Sequence, residues 1–88
     1  MRFEYDHEKS RSNKKKHGID FVEAQNLWLD ENALIVPANI IDDEIRYALI
    51  SMLNEKCYTA IFVLRDEIFR IISVRRCRKN EEKSYEKN

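Results

Sequence analysis

From Ile45 to Arg75 the chain alternates apolar runs with very short polar breaks: "IRYALISML", "NEK", "CYTAIFVL", "RDE", "IFRIISVR". Breaks this short cannot carry a crossover, so the three runs must form an antiparallel meander. The middle run is apolar on both faces, which predicts a central strand. Upstream, "ALIVPA" predicts another strand, closed by the turn "IIDDE". Pro37 lacks a backbone donor and suits a sheet edge or a strand end.

The N-terminal part supplies cover for this sheet. "RFEY" alternates, with Phe3 and Tyr5 on one side, and reads as a brief edge strand. Asp6 can cap a helix over 7–16. That helix, "HEKSRSNKKK", has almost no apolar face, so core packing does not explain what holds it. Lys9, Asn13 and Lys16 share one stripe of it. Gly18 ends it in the position of a left-handed cap. Asp20 and Glu23 form an Asp version of the capping box for a second helix. There Phe21, Ala24, Leu27 and Trp28 face the sheet. From Arg78 a polar helix runs to the end. The expected order is β-α-α-β-β-β-β-α. This is an α+β fold, with an antiparallel β-sheet, two N-terminal helices and a C-terminal helix in one domain, 1–88.

The chain has 88 residues with a single Gly and a single Pro, enough for one modest core and no long flexible linker. No apolar run approaches the ~20 residues of a membrane span. Met1 is followed by charged residues rather than by a signal peptide's apolar stretch. Cys57 and Cys77 are too few for a disulfide framework and are expected to be small packing residues of a reduced, cytoplasmic protein. The net charge is zero, but it is unevenly spread. Residues 1–17 carry six Lys/Arg against three Asp/Glu, residues 18–67 three against ten, and residues 68–88 seven against three. Two basic ends flank an acidic middle, and a fold that joins the ends would make one basic face.

Several residues invite chemistry. His17 sits at a helix C-terminus, where backbone carbonyls favour the imidazolium; it could donate a proton or simply cap the helix. Residue type alone favours the cap. Arg46 follows "DDE" and reads on sequence logic as a cross-strand partner of Asp42, Asp43 or Glu44. In the last strand, alternation puts Ser73 and Arg75 on one face and Arg70, Ile72 and Val74 on the other. Arg70 and Arg75 can therefore share a site only if a bulge intervenes. Arg75 lies at the strand exit beside Arg76 and Arg78, where a guanidinium fork suits phosphate. Glu81 and Tyr85 stack one helical turn apart. There is no Gly-rich phosphate loop and no zinc-ligand spacing, so no cofactor or metal is expected.

The pattern "FEYD..K...N..KHGI.F.EA", followed by "DDEIRY" and "RIISVRR....E...Y", resembles the BrnT family of type II toxins over nearly the whole chain. The resemblance implies a fold similar to the RelE-type ribonucleases and a BrnA-like antitoxin partner in a hetero-oligomer covering the basic face. It also implies a metal-independent RNA cleavage by attack of the ribose 2′-OH. The family's recurring positions fall here on Asp6, Lys9, Asn13, Lys16, His17, Gly18, Phe21, Arg46, Arg70, Ser73, Arg75, Glu81 and Tyr85. On this reading His17, Arg46, Arg75, Glu81 and Tyr85 are catalytic candidates. Arg75 and Arg46 clamp phosphate, His17 is the candidate acid, and Glu81 or Tyr85 is the candidate base or orienter. Lys9, Asn13, Lys16, Arg70, Ser73, Arg76 and Arg78 would bind RNA. The chain departs from the family in lacking a Gly at the hairpin within "SMLNEKCYT" and in carrying Cys77 where alanine is common. Two other functions fit the same residues: a non-catalytic nucleic-acid-binding regulator, and an inactive antitoxin-binding protein.

Overall fold

A computed structural model describes residues 1–88. Its elements are β1 (Arg2–Glu4), α1 (His7–His17), α2 (Phe21–Ala24) running into a 3-10 turn (Gln25–Leu29), β2 (Leu34–Ile41), β3 (Glu44–Leu53), β4 (Lys56–Arg65), β5 (Ile68–Arg76) and α3 (Lys79–Lys87). The strands form one sheet in the order β1-β5-β4-β3-β2. The meander β2 to β5 is antiparallel, and β4 is central. The sheet as a whole is mixed, because β1 pairs parallel with β5, Arg2 opposite Ile68 and Glu4 opposite Arg70. This corrects the all-antiparallel expectation. The connection through α1 and α2 carries the chain from β1 to β2 at the opposite edge of the sheet, and the meander then brings β5 back alongside β1 in the same direction.

All three hairpins close with two residues in the left-handed region: Asp42 and Asp43, Asn54 and Glu55, Asp66 and Glu67. Positive φ at both positions matches the right-handed twist of the flanking strands. Glycine usually fills such turns; here none does. The only glycine, Gly18, caps α1 at φ 76°.

One sheet face is covered by α2 and the 3-10 turn. Phe21, Ala24 and Leu27 pack there on Leu49, Ala60, Phe62, Ile71 and Val74, all almost fully buried. Trp28 meets Phe3, Phe62 and Phe69 at ring separations of 5.0, 5.3 and 5.7 Å. Its indole N–H is buried without an acceptor. The expected second helix is thus only one turn of α-helix, tightened into 3-10 geometry where Leu27 and Trp28 press on the sheet.

The cysteines are also corrected. Cys57 and Cys77 form a disulfide, with Cα atoms 5.3 Å apart. Cys77 N–H donates to the Cys57 carbonyl, so the two cysteines sit opposite each other just past the last β4–β5 pair. No helix is long and apolar enough to cross a membrane.

Because β4 is paired on both sides and buried on both faces, its amides should open only on global unfolding. Hydrogen exchange followed by mass spectrometry should find residues 58–63 among the slowest in the chain, and exchange there as fast as at the termini would contradict the topology.

Candidate functional site

Past Glu4, β1 ends, and the outer edge of β5 has no strand to pair with. α1 lies along that edge. The Asn13 side chain completes it like a short piece of strand: Val74 N–H donates to Asn13 Oδ1 at 3.2 Å, and Asn13 Nδ2 donates to the Val74 carbonyl at 2.9 Å. The same nitrogen donates to the Ile19 carbonyl at 2.8 Å. One turn earlier, Ser10 Oγ accepts from Phe21 N–H at 2.9 Å. Ser10 and Asn13 are the only buried residues of α1. This polar helix is therefore held by hydrogen bonds to backbone rather than by apolar packing. Asn13, grouped with the RNA ligands on sequence grounds, is fully occupied as a positioning residue.

The β4–β5 register slips by one between Ile61 and Phe62, so Ile72 is an extra residue on β5. The bulge changes which side chains share a face. Arg70 pairs with Val63, Ser73 with Ile61 and Arg75 with Thr59, and these three β4 residues alternate onto one face. Arg70, Ser73 and Arg75 therefore point the same way, while Ile71 and Val74 point into the core. Plain alternation had split Arg70 from Arg75. Ala48 of β3 pairs with Ile61, which puts Arg46 on this face too, roughly 10 Å across the sheet from Arg70. Arg46 makes no hydrogen bond or ion pair, because Glu44 is taken by both guanidinium arms of Arg65 at 2.7 and 2.8 Å.

Lys9, Ser12, Lys16 and His17 of α1 meet Ile72 and Ser73 across a shallow cleft of about 200 Å³. The cleft thus adjoins the arginine face at Ser73. Arg70 carries one counterion, Glu4 at 2.9 Å. Arg76 leans away, its guanidinium 5.6 Å from the Tyr58 ring centroid and donating to the Cys57 carbonyl. Arg78 opens α3, where its backbone N–H donates to Glu81.

Glu81 and Tyr85 hold Arg75 and α3 in place. Arg75 donates two parallel hydrogen bonds to Glu81, at 2.7 and 2.8 Å. That pairing, helped by the Arg78 amide and the Thr59 hydroxyl against the opposing effect of burial, draws the Glu81 carboxyl down to about 2. Tyr85 donates to Asp30 Oδ2 at 2.6 Å, which pushes its phenol up to about 12. Asp30 is itself partly desolvated. Hydrogen bonds from Tyr85, Met52, Asn32 and Ser51 outweigh that and lower its carboxyl. In this arrangement Glu81 is a weak base and Tyr85 is a neutral donor; neither is poised to take a proton at neutral pH. Asp30 was not singled out in the sequence. Its only local signal is its place directly after the apolar helix, because its partner Tyr85 lies 55 residues away.

Two predictions follow from these contacts. Asn13→Ala leaves the Val74 and Ile19 groups buried without partners and should cost roughly 2–4 kcal/mol in chemical denaturation, whereas Lys9→Ala, on an exposed position, should cost less than about 0.5. Glu81 has a folded value below its ordinary 4.5, so its stabilising effect is full above about pH 4.5 and is lost as pH falls toward 2. Protection factors of the α3 amides, corrected for the intrinsic pH dependence of exchange, should fall across that window, and Glu81→Gln should remove the fall.

A search of curated proteins finds no match. The model of the family described as "Ribonuclease toxin, BrnT, of type II toxin-antitoxin system" matches residues 5–81, a span that holds α1, the bulged strand and the Arg75–Glu81 pair. The chain belongs to the BrnT family of ribonuclease toxins of type II toxin-antitoxin systems.

Proposed function

We propose that this toxin is a metal-independent endoribonuclease whose RNA lies across the arginine-bearing face of β3, β4 and β5, with a fold of the RelE type. The observation that carries the reading is the Ile72 bulge, which puts Arg70, Ser73 and Arg75 on one face with Arg46. Such a face neutralises consecutive phosphates without reading bases. The ribose 2′-OH gives its proton to solvent water as its oxygen attacks the adjacent phosphorus, the bond from phosphorus to the 5′-oxygen breaks, and a cyclic phosphate and a 5′-OH result. Arg46 and Arg75 stabilise the charge that grows on the phosphoryl oxygens. His17, in the cleft next to Ser73, protonates the leaving oxygen. Lys9 and Lys16 hold the strand as it passes α1, and Arg76 and Arg78 add to the field at the exit of β5. Glu81 orients Arg75, and Tyr85 anchors α3 through Asp30. Cleavage of message in the cytoplasm then arrests growth until a BrnA-like antitoxin binds.

Incubation of purified toxin with a long RNA tests the chemistry. Fragments with cyclic phosphate and 5′-OH ends should form equally with and without EDTA. RNA bound with a steep salt dependence yet left intact would favour the non-catalytic regulator. Arg46→Ala removes no hydrogen bond, so stability should change by less than about 0.5 kcal/mol while cleavage falls at least about tenfold. Arg75→Lys should retain only part of the activity, since an ammonium cannot repeat the two-pronged contact. Arg78→Ala should leave turnover largely intact. Cleavage by Arg46→Ala at the parent rate would place the phosphate clamp elsewhere.

A further inference from the structure

The opposite face of the sheet is only half covered. Trp28 marks the limit of the helical layer, and beyond it the sheet carries apolar side chains into solvent. Ile35 is 51% exposed, Ile40 69%, Ile45 45% and Leu64 49%. The pairing of Ile40 with Ile45 and of Leu64 with Phe69 places these residues on one face. Between them lies an entirely apolar hollow of about 160 Å³ floored by Tyr47 and Phe69. The patch lies on the reverse of the arginine face: Ile45 and Arg46 are consecutive residues pointing to opposite sides.

Charge narrows what could cover it. The β2–β3 and β4–β5 hairpins close at this end of the sheet, and their tips are Asp42, Asp43, Asp66 and Glu67, all exposed and none in an ion pair. An acidic border repels RNA and anionic lipid. It also opposes a second copy of the chain stacked with its strands running the same way, because that twofold arrangement would set one acidic border against the other. The edge strand β2 is blunted by Pro37 and by a register shift between Pro37 and Asn39, so strand addition is disfavoured and side-chain packing on the face is left. A protein segment with an apolar stripe between basic residues satisfies both the hollow and its border.

We propose that this patch is the anchor site of the antitoxin, which packs an amphipathic, basic-flanked segment on Ile35, Ile40, Ile45 and Leu64. The proposal rests on the toxin reading only for the existence of a protein antitoxin. It separates anchoring from the RNA site: the antitoxin is held on one face of the sheet, and whatever blocks RNA must reach the other.

The probe is the purified cognate antitoxin, titrated against the full-length toxin. The variant Ile40→Ser with Leu64→Ser alters exposed side chains and should keep the parent thermal midpoint and RNA cleavage while losing about 100-fold in antitoxin affinity. The variant Asp42→Asn, Asp43→Asn, Asp66→Asn keeps turn-compatible residues and should weaken binding and flatten its salt dependence. Exchange in the edge strand β2, residues 34–41, should slow when antitoxin is added and not when RNA is added. Unchanged affinity of the serine variant overturns the anchor, and unchanged affinity and salt dependence of the asparagine variant overturns the basic partner. A toxin dimer in light scattering that the serine variant dissolves, or RNA protecting the patch, assigns the surface to that other occupant. Loss of RNA cleavage in the parent itself would sink the catalytic reading and leave these binding results standing.

Discussion

The cleft between α1 and β5 depends above all on one side-chain amide. Asn13 presents the edge of β5 with the donor and acceptor that a neighbouring strand would supply. A helix carrying only charged and small polar residues has no apolar reason to stay on a sheet. Without Asn13, α1 would keep only the Ser10 contact to Phe21, the cleft formed by Lys9, Lys16 and His17 would loosen, and the Val74 edge of β5 would lose its pairing partner. One residue therefore both builds the cleft and protects the sheet edge.

The second constraint is charge held in tension. Close ion pairs occupy several of the arginines: Arg65 with Glu44, Arg70 with Glu4, and, more deeply, Arg75 with Glu81. Of the arginines on this face of the sheet, Arg46 alone has no such partner. On the proposed reading, a phosphate would gain a free guanidinium at Arg46 and compete with carboxylates at Arg70 and Arg75. An RNA strand meeting several of these arginines at once would then outcompete the single carboxylates where a lone anion would not.

Much of this was legible in the sequence. The meander, the central β4, the edge position of Pro37 and the caps at Asp6, Gly18 and Asp20 follow from local rules, and those rules held. The stripe of Lys9, Asn13 and Lys16 on an apolar-free helix marked that helix as needing a special attachment. The bulge was harder, since Ile72 sits inside an apolar run with no Gly or Pro to mark it. The spacing of Arg70, Ser73 and Arg75, three residues and then two, is the trace it leaves. The same slip hid the disulfide. A two-residue hairpin in plain register would set Cys57 opposite Arg76, and only the extra residue carries Cys77 into place. The parallel seat of β1 leaves no trace either, because three residues carry too little pattern to name a partner.

The contacts that assemble the molecule join its two ends: Arg2 to Ile68, Asn13 to Val74, Asp30 to Tyr85. A nascent chain that has delivered α1 and the first hairpin holds the lysines but has neither the bulged strand nor its arginines. Folding cannot close until β5 has left the ribosome, and α1 has no docking edge before then. The proposed site is thus incomplete until β5 and α3 have emerged, so on that reading RNA cleavage waits for the last elements of the domain.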